Sequence, residues 1–299
     1  MAHEIIAATN AIVTLDVALP GIVWGWIITM NMWAKSIGTG IIFLTFFLLK
    51  KYPKETGFIR FPAVMVSIVT IHLFLFFTVI DLHQMFRFWH IFFHPHMTSA
   101  ITIGAWMATG FVGLLLGMAY AIYMKKDEAL YDRLLGYTVF LAVPVTLYTA
   151  GLMAQSTARE LWQMPTESAQ MILAALLAGT ATMLLLGGNK FSDSIKKDLA
   201  VILGLSAAAA FILYMAELIF GPMKAEEVAA VLEYIKGGEY TIMFWIGQVL
   251  AFIIPMILVW VSIKKESYYL LKIAAVSALI GLWISKHVWL VIPQLLSMS

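Results

Sequence analysis

At 299 residues the chain is 62% hydrophobic and 12% charged, with a mean hydropathy of +0.91. That balance places it among integral membrane proteins and leaves no stretch for a soluble domain. The formal net charge of +2 includes no basic run interleaved with aromatics, which excludes nucleic-acid binding, and zero cysteines exclude disulfides, thiolate metal sites and iron–sulfur ligation within the chain.

Residues 1–21 alternate weakly and reach Pro20, a pattern that predicts a short interfacial helix on the outer surface. The opening MAHEIIAATN has neither a basic n-region nor a small-residue cleavage site, so no removable signal peptide is expected. Eight apolar runs follow, near 22–49, 58–80, 99–124, 134–157, 167–187, 199–220, 241–263 and 268–296. The expectation is an all-α polytopic membrane protein of eight transmembrane helices, one integral membrane domain over 1–299, in a form that suits two four-helix bundles. No internal repeat is strong enough to indicate duplication. Thirteen Lys and Arg fall on one set of loops, among them Lys50, Lys51, Lys125, Lys126, Lys196 and Lys197, against four on the other: Arg87, Arg159, Lys224 and Lys236. The positive-inside rule then puts both termini outside and the basic loops in the cytoplasm, and the expected location is the cytoplasmic (inner) membrane, spanned several times.

Several spans carry polar residues that lipid does not tolerate without partners. Counting from the outer ends of their runs, Asn31, His72 and Tyr148 lie eight or nine residues in, about 12–14 Å deep at the helical rise. Asn31, Lys35 and Gly38 share one face of the first span, and Tyr148, Gly151 and Gln155 share one face of the fourth, where Pro144 is expected to kink the helix. A flat, apolar ligand ending in hydrogen-bond acceptors would satisfy such a layer, and a quinone headgroup has that form. Quinone chemistry moves two protons, for which His72 and Lys35 are the candidate exchangers. Each of these residues also has a plainer use: Asn31 and Tyr148 as glue between helices, Lys35 as a snorkelling or ion-paired side chain, and His72 as a packed imidazole bonded to a carbonyl.

In the second half Glu217, Gln248, Lys286 and Gln294 lie toward the outer side, and a Glu217–Lys286 ion pair is expected there, with a place in a proton path as its second reading. The outer loop carries Arg87 with His83, His90, His94 and His96. The His94-Pro95-His96 pair has no flanking acid, so a docking or interfacial role is expected over a metal site. Haem needs paired histidines on facing spans, and only His72 and His287 lie inside spans. A second functional class fits a buried lysine and histidine as well: a secondary transporter coupling protons to a small solute, with Pro144 and Pro255 as candidate helix breaks. A third is a structural anchor without quinone contact.

The end of the second span carries a further signal. The run Asp81-Leu82-His83-Gln84-Met85-Phe86-Arg87-Phe88-Trp89, then Ser99 through Gly104 to Trp106, then Arg133-Leu134-Leu135-Gly136 and Tyr148-Thr149-Ala150-Gly151, resembles the signature of the NrfD-like (PsrC-like) family, the membrane subunits of polysulfide reductase and its relatives. The resemblance is close in the first half and loose in the second. It implies a menaquinol-oxidising anchor without haem, which passes electrons to a ferredoxin-like iron–sulfur subunit and on to a molybdopterin catalytic subunit on the outer side. It further implies that Asn31 and Tyr148 contact the quinone and that Asp81 is the family's span-two acid, a third candidate proton acceptor beside His72 and Lys35. The family's histidine near the asparagine has no counterpart at the expected spacing, and Lys35 stands four residues on instead. Asp81 lies about 180° around a regular helix from His72, so one pocket at one depth cannot take both. Anchors of this kind serve polysulfide, sulfur, tetrathionate or arsenate as terminal acceptors.

Overall fold

The computed structural model describes residues 21–82 and 84–296. The expected interfacial segment over residues 1–20, and His83 of the outer loop, lie outside the described residues. The described chain is built from eight long helices, each apolar enough to cross a membrane: α1 (Trp26–Lys51), α2 (Gly57–Asp81), α3 (Ala100–Lys125), α4 (Glu128–Ala154), α5 (Met164–Lys190), α6 (Asp193–Met223), α7 (Thr241–Lys265) and α8 (Tyr268–Gln294). The number of spans is the one expected, and most boundaries agree within a few residues. The largest differences are α4 and α6, which start six residues before their apolar runs do. Asp127 caps α4 by accepting from Leu130 N at 2.9 Å, and the polar first turns are then held by partners elsewhere. Helix α4 continues through Pro144 as one element. Helix α7 contains a π-helical turn, Val249–Ile253, just ahead of Pro255.

Two four-helix bundles result. Helices α1–α4 pack in a ring, α5–α8 pack in a second, and α1 against α5 forms the main seam between them, with α4 and α8 flanking it. The seam is close because both helices present glycine at the crossing. A Cβ on Gly40 would lie 1.9 Å from the Ala175 carbonyl oxygen, and one on Gly179 would lie 2.2 Å from the Gly40 carbonyl carbon, so neither helix tolerates a side chain there. Since lipid tails are as apolar as leucine, this backbone-to-backbone packing is what dispersion can reward inside a bilayer.

Polar clamps fix the helix ends at the two faces. On the lysine-rich face, Arg60 of α2 makes a bidentate contact to Asp132 of α4 at 3.0 and 2.9 Å and a third to Glu128 at 2.9 Å. The Tyr131 hydroxyl donates to the Arg60 carbonyl, so α2 and α4 are locked at this end. Asp198 of α6 similarly accepts from Lys51 at 2.6 Å and Tyr52 at 2.7 Å. On the opposite face, here the loop face, Gln294 accepts from the Val23 and Trp24 amides at 3.0 and 2.9 Å, and Arg159 donates to the Pro293 and Leu296 carbonyls. The first and last described segments therefore meet on one face. Burial holds the Arg159 guanidinium below its ordinary pKa against the pull of Glu227, while burial, then Glu160, pushes the Glu227 carboxyl up against Arg159.

Candidate functional site

Near the loop face, α2 and α3 part to leave a cavity of about 570 Å³, roofed by the segment that follows α2. Its walls are mostly apolar, with Phe74, Leu75, Ile101, Ala105 and Ala108 prominent, and its polar groups are few: Tyr148 and Thr78 at the inner end, Thr109 on α3, and Gln84 and Arg87 from the roof. A cavity of this size, apolar with a handful of convergent polar groups, has the form of a small-molecule site.

Tyr148 reaches the cavity from α4 because α3 carries glycine where the ring passes. A Cβ on Gly104 would lie 2.3 Å from Tyr148 Cδ2, and the ring rests edge-on against Phe74 at 6.0 Å. The Tyr148 hydroxyl interacts with those of Thr78 and Thr149. Behind it stands α1. Asn31, 3% exposed, donates from Nδ2 to the Phe74 carbonyl at 3.0 Å and to Thr78 Oγ1 at 2.6 Å, which ties α1 to the cavity wall. Lys35, 0% exposed, donates to Thr149 Oγ1 and lies 4.8 Å from the centre of the Tyr148 ring. Aromatic faces and one hydroxyl are sparse company for an ammonium that carries three donors. The cavity is thus joined to a buried amine by two hydroxyls: Tyr148, then Thr149, then Lys35 Nζ.

Asn31, Lys35 and Tyr148 are brought together, with Tyr148 on the cavity and the other two immediately behind it. His72 is not. Its imidazole is exposed on the outer flank of α2 and donates from Nδ1 to its own helix, at the Ile68 carbonyl, 2.7 Å away. The inward face of α2 is set by Ser67, Ile71, Phe74 and Thr78, and at about 100° per residue His72 lies roughly 160° from Phe74. Equal depth did not mean a shared face. Asp81 is half-buried at the last turn of α2 and is not among the cavity's lining residues. Sequence reasoning missed Thr78, Thr149 and Gly104 as parts of the site. Thr149 adjoins Tyr148 and Gly104 sits inside the Ser99-to-Trp106 motif, so both were present but read only as family pattern, whereas Thr78, one helical turn after Phe74, lies outside the motifs.

The polar residues of the second bundle pair differently from expectation. Glu217 accepts from Lys224 at 2.8 Å on both oxygens, because Lys224, seven residues on, folds back over the same face. Lys286 does not pair with Glu217; its Nζ reaches Met171 Sδ at 3.5 Å. Glu167, 1% exposed, accepts from Trp289 Nε1 at 3.0 Å. Gln248 donates to Ser285 Oγ at 2.9 Å. His287 is bonded to Thr29 at 2.9 Å and stacked on Trp283, while His72 faces outward, so the two span histidines do not face each other. In the loop, His90 packs on Trp89 and near His94, and His96 bonds Thr98. Among the described residues no three His, Asp or Glu side chains converge as a metal ion requires.

Two comparisons bear on this site. The family model described as "Polysulphide reductase, NrfD" matches residues 17–296. A selenate reductase subunit of Mesobacillus selenatarsenatis is 30% identical over 161 residues, which cover 51% of this chain and 37% of that protein. The chain therefore aligns with little more than a third of that relative's length.

Proposed function

Because the chain belongs to the NrfD polysulphide reductase family, we propose that it is the quinone-binding membrane anchor of a respiratory molybdopterin and iron–sulfur oxidoreductase, oxidising menaquinol at the cavity between α2 and α3. The observation that carries this reading is the inner end of that cavity, where Tyr148 and Thr78 present hydroxyls with Asn31 and Lys35 directly behind them. The residues fit the substrate. A flat ring of apolar faces can lie between Phe74 and the α3 wall, one oxygen can meet the Tyr148 hydroxyl, and the other can turn toward Gln84 and Arg87 at the roof. A prenyl tail leaves along the apolar wall toward lipid.

When bound, menaquinol supplies two electrons and two protons. Tyr148 orients the ring and takes part in the first proton transfer, Asn31 fixes the Thr78 hydroxyl, and Lys35 stands as acceptor behind Thr149. Asp81, close to the roof, is the second candidate acceptor for a proton leaving that side. By the positive-inside rule the lysine-rich face is cytoplasmic and the loop face is outer, in the cytoplasmic membrane. Electrons then pass to a ferredoxin-like iron–sulfur subunit, and through it to a molybdopterin catalytic subunit, docked over the segment between α2 and α3. That segment presents Phe86 at 87%, Phe93 at 73% and Met97 at 66% exposure, an apolar surface of the kind partners cover. The relative belongs to a selenate reductase, and a terminal oxidoreductase of that general class is the partner proposed for this chain.

The test is Tyr148→Phe in the assembled complex. Loss of one hydrogen bond of about 1.4 kcal/mol should lower menaquinol-dependent turnover roughly tenfold with the subunits still assembled. Parental turnover in that variant removes Tyr148 from the site.

A further inference from the structure

At the lysine-rich face the second bundle is open between the first turn of α6, the last turn of α7 and the first turn of α8, which leaves a cavity of about 170 Å³. Its floor is apolar and buried, formed by Ala200 and Leu271, and its rim is polar: Lys196 and Lys197 from α6, Ser262 from α7 and Tyr268 from α8. The α7–α8 turn closes tightly on one side. Ser262 Oγ donates to the Ser267 carbonyl at 2.7 Å, the Ser267 amide donates back to the Ser262 carbonyl at 3.2 Å, and Glu266 between them turns the chain at a φ of 51°. The Tyr268 hydroxyl donates to the Leu184 carbonyl of α5, which fixes the ring. Two ammonium groups lie against that ring, Lys196 Nζ at 5.3 Å from its centre and Lys272 Nζ at 5.0 Å.

Charge and depth together suit an anion at the membrane surface. The segments that form the cavity carry Lys196, Lys197, Lys264, Lys265 and Lys272 against Asp193 and Glu266, since Asp198 is held by Lys51 and Tyr52. Asp193 meets Lys196 at 3.0 Å, but its side chain is 101% exposed where that of Lys196 is 20% exposed, a solvated pair of the kind that contributes little. Helices α6, α7 and α8 have 31, 25 and 27 residues, about 46, 37 and 40 Å at the helical rise against a hydrocarbon core of about 30 Å, so their lysine-bearing ends stand among the lipid headgroups. Trp260, exposed and with Lys264 Nζ 3.7 Å from its ring centre, is placed as an interfacial aromatic at the same level. From the rim an apolar track leads deeper along the exposed flank of α7, through Ile263, Trp260 and Ile257 at three-residue spacing.

We propose that this cavity is a binding site for the phosphate of an anionic phospholipid, held by Lys196 and Lys197, with the acyl chains lying along Ile263 and Trp260. Asp193 and Glu266, both exposed, face water at the rim and leave the lysines to the phosphate oxygens. A lipid is the occupant, and not a free anion, because the floor is apolar and the rim continues into an apolar track, neither of which a hydrated phosphate uses. Bound there, the lipid joins the ends of three helices, so it stabilises the second bundle at the lysine-rich face. The proposal uses no residue of the first bundle and stands apart from the quinone reading.

The test uses the full chain purified in a neutral detergent and titrated with short-chain phosphatidylglycerol, short-chain phosphatidylcholine or inorganic phosphate, with bound lipid counted by native mass spectrometry and Tm followed in parallel. Phosphatidylglycerol should bind and raise the Tm, phosphatidylcholine should bind roughly tenfold more weakly or less, and inorganic phosphate at matched concentration should neither raise the Tm nor displace the lipid. Lys196→Gln combined with Lys197→Gln should weaken phosphatidylglycerol binding roughly 30-fold, the product of two lysine contacts. Lys125→Gln combined with Lys126→Gln, which removes the same charge from the α3–α4 turn of that face, should change it by less than about twofold. Equal losses in the two double variants would mean diffuse attraction to a basic surface and overturn the site, as would parental binding in the first or equal affinity for the two lipids. Displacement of the lipid by inorganic phosphate at matched concentration overturns the assignment to lipid. If the first double variant does not accumulate, Lys197→Gln, at the exposed edge of the cavity, decides the matter: a loss of about fivefold supports the site and parental binding overturns it.

Discussion

In the first bundle α2 and α3 separate to leave about 570 Å³ with Tyr148 at its inner end, whereas in the second bundle Glu167, Lys286 and Gln248 are enclosed by Met171, Trp289 and Ser285. The same class of residue, a polar group on an apolar helix near the loop face, turns toward a ligand-sized opening in one ring and toward other protein groups in the other. The lesson is that polar residues at membrane depth do not by themselves mark a binding site. What separates the cases is backbone shape. Gly104 lets Tyr148 sit at the cavity in the first bundle, where the second bundle fills the corresponding space with side chains.

The largest effect is expected where the two bundles meet. Gly40→Leu places a side chain against the Ala175 backbone, and a cost of about 3 kcal/mol or more, at the upper end of overpacking penalties, should abolish accumulation of the folded protein in membranes. Normal levels of Gly40→Leu would show that the seam is not as tight as described. Gly104→Ala should leave the protein folded but drive the Tyr148 ring off its seat. A displacement of about 1 Å at a reacting group costs roughly 10²-fold in turnover, and turnover equal to the parent would mean the ring position is unimportant. Lys35→Met should also reduce turnover, by up to roughly 10²-fold, and change the shape of the pH–rate profile, since it removes the proton acceptor behind Thr149. A profile superimposable on that of the parent would count against that role. His72→Ala is expected to have the smallest effect, with turnover within about twofold of the parent, because the imidazole bonds its own helix on the outer flank, away from the cavity.

Much of this was legible in the sequence. Long apolar runs are an unambiguous physical signal, because a lipid-exposed backbone must be fully helical, and the eight spans follow from it. Asn31, Lys35 and Tyr148 were legible for the same reason: each is costly in lipid, and Asn31 and Lys35 share a helix face that periodicity alone defines. What periodicity could not give was the direction of that face. His72 passed the depth criterion but belongs to the flank of α2 opposite Phe74, and only the packing of α2 against α1 settles which flank is inside. Pairing was similarly hidden. Glu217 and Lys286 are opposite charges near one face, yet Lys224, on the turn after α6, takes Glu217, and Lys286 Nζ meets the Met171 thioether instead. The early starts of α4 and α6 escaped hydropathy because their opening residues are polar, and Arg60 and Lys51 from other helices hold Glu128 and Asp132 of α4 and Asp198 of α6.

The central claim is that a quinone occupies the opening in the first bundle. A photoreactive menaquinone analogue, crosslinked in the assembled complex and mapped by peptide mass spectrometry, tests it most directly. Label should fall within residues 74–92 and 101–109, and Gly104→Ala should sharply reduce it. Label confined to α5–α8, or labelling of the first bundle that Gly104→Ala leaves unchanged, would contradict the account.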